Sequence, residues 1–242
     1  MKIFEMFSGY GGASFALEQA LVPFECIGYS EIDSFAIQCY NQNHPNIKNY
    51  GDCTKIVAED LPDFDLLTGG FPCQAFSIAG KGQGELDTRG TLFHEIIRIA
   101  EVKKPKYMLL ENVKGLMSKP HKQTFDKILS ELKRIGYDVI VKEFNSKDYG
   151  IPQNRERLWF ICKLGKWEFG EFKTPSTQPL IKTLKQLLET NVDRKYYLSS
   201  KSIDKHLRHN NVDHDNKVSK TIISGYYKDG KNNQLITTDM SG

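Results

Sequence analysis

Nowhere in the 242-residue sequence do apolar residues run together long enough to cross a bilayer as a helix, which takes roughly 18 or more. No secretory signal is recognisable either, since Met1-Lys2-Ile3-Phe4 enters a strand directly. Cysteine is scarce: the five (Cys26, Cys39, Cys53, Cys73 and Cys162) are odd in number, scattered, and never spaced Cys-x-x-Cys. That argues against a disulfide framework and against a metal site, and for a reducing, cytoplasmic setting without a membrane partner. A dominant charge is lacking too. The net +3 is too mild to announce a nucleic-acid partner by itself. From Glu171 onward twelve Lys/Arg stand against eight Asp/Glu, +4, which leaves the first 170 residues at −1. Such a tail is usually solvated surface, and it is compatible with phosphate contacts. Internal repeats and low-complexity tracts are absent, and a chain of this length buries one good core plus a small appendage.

What is present is an alternation. Short β-type runs and amphipathic helical stretches follow one another, which predicts an α/β fold: a mixed, mostly parallel sheet with helices on both faces. Strands are expected at residues 2–7, 24–29, 65–68, 107–110, 139–144 and 158–162, the last two as an antiparallel edge pair. Helices are expected at 13–20, around 35–40, at 92–102 and at 125–135. Leu92, Phe93, Ile96, Ile97 and Ile99 are spaced to bury one face, and Gly136 stands where a C-terminal cap belongs. After Cys162 the composition shifts to Gly165, Gly170, Pro175 and Pro179 with interleaved aromatics, the signature of a linker. Beyond it a helix is expected at 181–188, and a hairpin joining Ile222-Ile223 to Gln234-Leu235-Ile236. The expected division is a main domain over 1–165 and a linker with a partial small region over 166–242.

Three places carry chemistry. Gly69-Gly70-Phe71-Pro72-Cys73-Gln74-Ala75-Phe76-Ser77 sets a cysteine just beyond a buried strand, on a loop whose backbone Pro72 restrains. A lone free cysteine is more often a buried structural residue than a nucleophile, so Cys73 gains weight only from its company. The first strand runs into Phe7-Ser8-Gly9-Tyr10-Gly11-Gly12, where glycines let the backbone turn tightly and approach a ligand at the mouth of an open sheet. A nicotinamide dinucleotide or a plain tight turn would explain that loop as well. Glu31, ending the second strand, stands where such folds place an acid for ribose hydroxyls, and Asp52 could accept from an adenine amino group. For Asp33 and Asp52, turn or helix-cap duty is the alternative. Glu111 ends the strand at 107–110, and Arg155 and Arg157, alternating along an extended segment, are expected to share a face with it. A structural ion pair is the alternative there.

Taken in order, Phe7-Ser8-Gly9-Tyr10-Gly11-Gly12, Glu31-Ile32-Asp33, Gly51-Asp52, Pro72-Cys73-Gln74, Glu111-Asn112-Val113 and Gln153-Asn154-Arg155-Glu156-Arg157 resemble the signatures of the cytosine-C5 DNA methyltransferases. The resemblance covers about residues 2–165. It implies a Rossmann-like class I methyltransferase fold with S-adenosylmethionine as cofactor and double-stranded DNA as substrate, in a restriction–modification setting. By that resemblance Phe7 packs on the adenine, Glu31 binds the ribose and Asp52 the adenine amine, with Ser8, Gly9, Gly11, Gly12, Ile32 and Pro72 completing the cofactor pocket. Cys73 adds to cytosine C6, and Glu111 meets N3, as a donor if burial keeps it protonated. Arg155 and Arg157 grip the cytosine O2, Glu111 or a phosphate. The target base is extruded from the duplex. Residues 77–91, with four glycines, read as a lid, and Gln74, Ser77 and Arg89 are the expected DNA contacts.

Alternatives remain. A tRNA cytosine methyltransferase shares the scaffold, but Gln74-Ala75-Phe76-Ser77 resembles the DNA-acting branch more closely. A non-catalytic DNA-binding subunit would need an altered Cys73 or Glu111, and a nicotinamide oxidoreductase has no use for these residues together. The family's Arg-rich segment and closing Gly-Asn pair are not found before Gly242. The expectation is a two-subunit enzyme whose second chain supplies them. A truncated chain is the alternative, and a degraded remnant is disfavoured by the intact motifs.

Overall fold

Ile3, Phe4, Glu5 and Met6 are all buried, which a strand achieves only when both faces of its sheet are covered. The computed structural model describes residues 1–72, 91–189, 191, 193, 212–213, 217–220 and 235–236. In it β1 (Lys2–Met6) sends alternate side chains to opposite layers. Phe4 and Met6 enter the main core with Ile96 and Ile99 of α3 (Thr91–Lys103) and Ile128 and Leu132 of α4 (Lys122–Arg134). Glu5 faces the other layer, where Ser14 of α1 (Gly12–Gln19) and Tyr40 of α2 (Ser34–Asn43) reach it. Gly136 follows α4 with φ +92°, the left-handed end expected of it.

The main sheet runs β2-β1-β3-β4-β7-β5, with β2 at Glu25–Ser30, β3 at Leu66–Gly70, β4 at Tyr107–Val113, β5 at Tyr137–Asn145 and β7 at Glu156–Leu164. β1 pairs in parallel with β2 and β3, and β3 with β4, while β7 is antiparallel to β4. Parallel strands bring their carboxyl ends to one edge of the sheet. Chain order reverses between β1 and β3, and ligands of open α/β sheets bind outside the carboxyl ends at such a point. The two strands expected to pair at the edge do lie side by side at that end of the sheet: β7, with Leu158, Phe160 and Cys162 buried, stands between β4 and the outermost strand β5.

Close packing divides the chain into Met1–Glu143 with Arg157–Lys173, and Phe144–Glu156 with Thr174–Gly242, rather than at a single cut after residue 165. In the second unit β6 (Gln153–Asn154) pairs in parallel with β9 (Ser219–Lys220), and β8 (Val212–Asp213) with β10 (Leu235–Ile236). Ile222-Ile223, the other half of the hairpin expected with Leu235-Ile236, lies outside the described residues. The helix expected at 181–188 is a single 3-10 turn, Lys185–Leu187. Ile181 and Leu187 are exposed there, and so short a segment forms a helix only when an apolar face is buried.

Glu5 is a carboxylate buried between two helices. Ser14 Oγ donates to its Oε1, and the Tyr40 hydroxyl lies 3.2 Å from the same atom. Burial pushes its pKa above the ordinary 4.5. The folded state then holds a proton that the unfolded chain releases, so stability should fall as pH rises from about 4.5 through the folded value, with a slope near 1.4 kcal/mol per unit. Glu5→Gln should match the parent at pH 4 and exceed it increasingly above. Urea midpoints measured from pH 4 to pH 8 check this, and parallel curves would overturn it.

Candidate active site

Between β1 and α1 the chain turns through three left-handed residues: Phe7 at φ +53°, Gly9 at +56° and Gly11 at +87°. For Phe7 that conformation is strained, and surrounding contacts must hold it. Part of the hold is visible. Ser8 N donates to Ser30 O of β2 at 3.3 Å, and Gly9 N to Glu31 Oε2 at 3.0 Å. Glu31 Oε1 accepts from the backbone of Ile32 (2.8 Å) and Asp33 (3.0 Å). One carboxylate thus ties the loop after β1 to the loop after β2. Asn49 extends the tie, donating to Glu31 O at 3.1 Å and accepting from Gly51 N at 2.9 Å.

The glycines do different jobs. A Cβ on Gly9 would meet nothing within 4 Å, so this is where a ligand has room. A Cβ on Gly11 would lie 2.4 Å from His44 Cδ2, so the missing side chain there makes room for a protein ring. Gly12 opens α1, and a Cβ there would come 3.3 Å from the Tyr10 hydroxyl. Ser8 Oγ is the one buried side-chain oxygen or nitrogen among the described residues without a hydrogen-bond partner. Native structures rarely leave such a group unmatched, so a ligand's polar atom fits it. Phe7 packs partly buried against the core, whereas Ile32 and Phe35 beside Glu31 are 75% and 78% exposed, leaving apolar surface free to cover a ring.

Both aspartates cap. Asp33 Oδ1 accepts from Phe35 N and Ala36 N at the start of α2, each at 2.9 Å. Asp52 Oδ1 accepts from Thr54 N at 3.0 Å and Thr54 Oγ1 at 2.8 Å. Those bonds from Thr54 hold the Asp52 carboxyl below its ordinary pKa. Lys55 Nζ lies 3.7 Å from Asp52 Oδ2.

At the ends of β3 and β4, Gly70 pairs with Glu111, and a Cβ on Gly70 would come 3.4 Å from Glu111 Oε2. The glycine leaves that carboxylate its space. Asn112, fully buried, donates to Phe71 O at 3.0 Å and accepts from Val113 N at 2.8 Å, which pins the backbone just before Pro72. Pro72 itself is exposed. Across the antiparallel ladder Glu111 faces Trp159 and Val113 faces Arg157, so Arg157 is the diagonal neighbour of Glu111 and a long side chain spans the gap. Its Nε lies 2.8 Å from Glu111 Oε1, the two side chains only 16% and 23% exposed. Arg155 precedes β7 and belongs to the second unit, where its N–H donates to Asn145 Oδ1 at 3.0 Å and its carbonyl accepts from Ser146 N at 3.1 Å. Cys73, Gln74, Ser77 and Arg89 lie outside the described residues, as does all of the expected lid but its last residue.

A family model described as C-5 cytosine-specific DNA methylase matches residues 1–240. The chain belongs to this family. It is 39% identical over 244 residues to the Type II methyltransferase M1.ScrFI of Lactococcus lactis subsp. cremoris, covering 95% of this chain and 62% of that protein. To the Type II methyltransferase M.NlaX of Neisseria lactamica it is 38% identical over 242 residues, 95% of this chain and 77% of the other. The crystal structure of the S. pombe Dnmt2 methyltransferase matches 100% of this chain and 78% of its own, with a TM-score of 0.77 at 23% identity, a likeness of fold. The chain spans less than two thirds of the first of these relatives.

S-adenosylmethionine is the cofactor of cytosine-C5 methylases, and the loop after β1 fits it on its own terms: open space at Gly9, an unmatched Ser8 hydroxyl, a braced carboxylate at Glu31 and exposed apolar surface at Ile32. Sequence reasoning missed His44 and Asn49, which meet the loops only in three dimensions. Asn49, two residues before Gly51-Asp52, carried a faint local signal; His44 carried none. No described helix is long and apolar enough to cross a membrane.

Proposed function

We propose that this chain carries the catalytic and cofactor-binding region of a DNA cytosine-C5 methyltransferase of a restriction–modification system, acting in the cytoplasm on a base extruded from duplex DNA. The observation that carries the reading is the Glu111–Arg157 pair, set by strand register beside the end of β3 that leads into Cys73. Glu31 braces the cofactor loop on the same edge of the sheet. Three of the other four cysteines are unsuited to act as nucleophile. Burial raises the thiol pKa of Cys26 and Cys162 and pushes Cys53 up to about 11, which keeps these thiols protonated and poor as nucleophiles.

In this reading the Cys73 thiolate forms a bond to cytosine C6, and the ring electrons move toward N3 and C5. Glu111, oriented by Arg157, holds N3 as charge develops there. Arg155 reaches the cytosine O2 or a phosphate. Glu31 binds the ribose, Asp52 the adenine amine through oxygen capacity left beyond Thr54, and Phe7, Ile32 and Pro72 line the adenine. S-adenosylmethionine, when bound, supplies an electrophilic methyl group. The C5 proton then leaves to water and the Cys73–C6 bond breaks, which restores both ring and thiolate. Gln74, Ser77 and Arg89 contact DNA. Residues 1–165 serve catalysis and cofactor binding, and 166–242 form a linker and part of a target-recognition region. Relatives are longer, so full turnover is expected to need the remaining region, supplied by a second chain.

The relatives named above are Type II methyltransferases, and the likeness to Dnmt2 is one of fold alone, so the tRNA reading is not favoured. A duplex pool containing 5-fluorocytosine tests the proposal, because fluorine at C5 blocks the final elimination. Incubated with methyl-labelled cofactor and the remaining region of the enzyme, the chain should form a stable labelled adduct with DNA, and Cys73→Ala should form none. An adduct of equal yield from the variant would refute the covalent mechanism.

A further inference from the structure

His44 ends α2 and lies buried beneath the cofactor loop. Its Nε2 stands 3.2 Å from the Gly11 carbonyl oxygen and its Nδ1 3.4 Å from Glu18 Oε1 of α1. A carbonyl oxygen only accepts, so Nε2 carries the proton that it donates to Gly11. The fit against the loop is close, since even a methyl group at Gly11 would collide with the ring. The Phe15 and Tyr40 rings flank it, with centroids at 5.8 and 5.2 Å. The titratable groups facing His44 are Glu18 from α1, Tyr40 from α2 and, through the buried cluster, Glu5 from β1.

A loop with left-handed residues at 7, 9 and 11 does not hold its shape unaided. Whatever share of molecules has the wrong loop shape is lost to binding, and apparent affinity falls by that fraction. We propose that His44 is a positioning residue for the cofactor: through the Gly11 carbonyl it holds the loop in its binding shape. Cofactor affinity therefore depends on a residue that never touches the cofactor. The inference rests on the reading of residues 7–12 as the cofactor loop.

Calorimetric titration of the whole chain with S-adenosylhomocysteine tests it, with melting temperatures recorded alongside. His44→Leu keeps much of the bulk and loses the donor, and it should weaken affinity roughly three- to tenfold, the worth of about one hydrogen bond. His44→Gln, whose amide N–H can still donate to the Gly11 carbonyl, should recover most of that loss. Equal affinity of the parent and His44→Leu would overturn the inference, even if the variant melts lower, the mark of a merely structural residue. So would His44→Gln binding no more tightly than His44→Leu. Failure of the parent chain to bind S-adenosylhomocysteine would instead overturn the cofactor reading, and this inference with it.

Discussion

Glu111→Gln should lower methyl transfer by about 10²- to 10⁴-fold while leaving S-adenosylhomocysteine affinity within about twofold. The amide keeps the size that Gly70 accommodates, at 3.4 Å from a built Cβ, but it cannot carry the carboxylate's charge or proton to N3. It also leaves Arg157 facing a neutral group in a poorly solvated position, so a stability loss of about 1–3 kcal/mol should accompany the loss of rate. The two effects separate in a double-mutant cycle. Arg157→Ala should slow transfer by misorienting Glu111, and adding it to Glu111→Gln should cost much less than the two single losses combined. Single-turnover rates on duplex DNA, with the remaining region of the enzyme supplied, give the comparison. Additive losses would mean that the pair is structural and that N3 is met by something else.

Gly11→Ala should destabilise the chain by about 2–4 kcal/mol and remove measurable cofactor binding. Two costs combine: an L-residue held at φ +87°, worth about 1–2 kcal/mol, and a methyl group placed 2.4 Å from a ring that is itself packed between Phe15 and Tyr40. Gly9→Ala is the matched control. It carries the backbone cost at φ +56° but meets open space, so it should lose only about 1–2 kcal/mol. Thermal or urea unfolding of both variants decides the matter. Equal losses would show that the ring yields and that backbone conformation alone accounts for the effect.

Several local signals survived folding because their physics is local. The helix expected at 125–135 and the glycine after it needed only neighbouring residues; α4 covers Lys122–Arg134 and Gly136 follows it. A helix was expected at 181–188 too, but Ile181 and Leu187 stay exposed and a single turn remained. Asp33 and Asp52 were open between ligand and cap duty, and each caps the segment that follows it. Arg155 and Arg157 are two residues apart, yet strand register brings Arg157 to Glu111 while Arg155 belongs to the second unit.

The chemistry was legible in the sequence itself: which residues could attack, donate or accept, and in what order they follow strands, because reactivity belongs to side-chain types and turns to short-range sterics. What packing decided is which of them meet. Strand order set Glu111 beside Gly70 and diagonal to Arg157, and it buried Glu5 between α1 and α2. His44 reaches Gly11 across 33 positions of sequence. Such meetings depend on the order and register of whole layers, and no window of neighbouring residues contains that information.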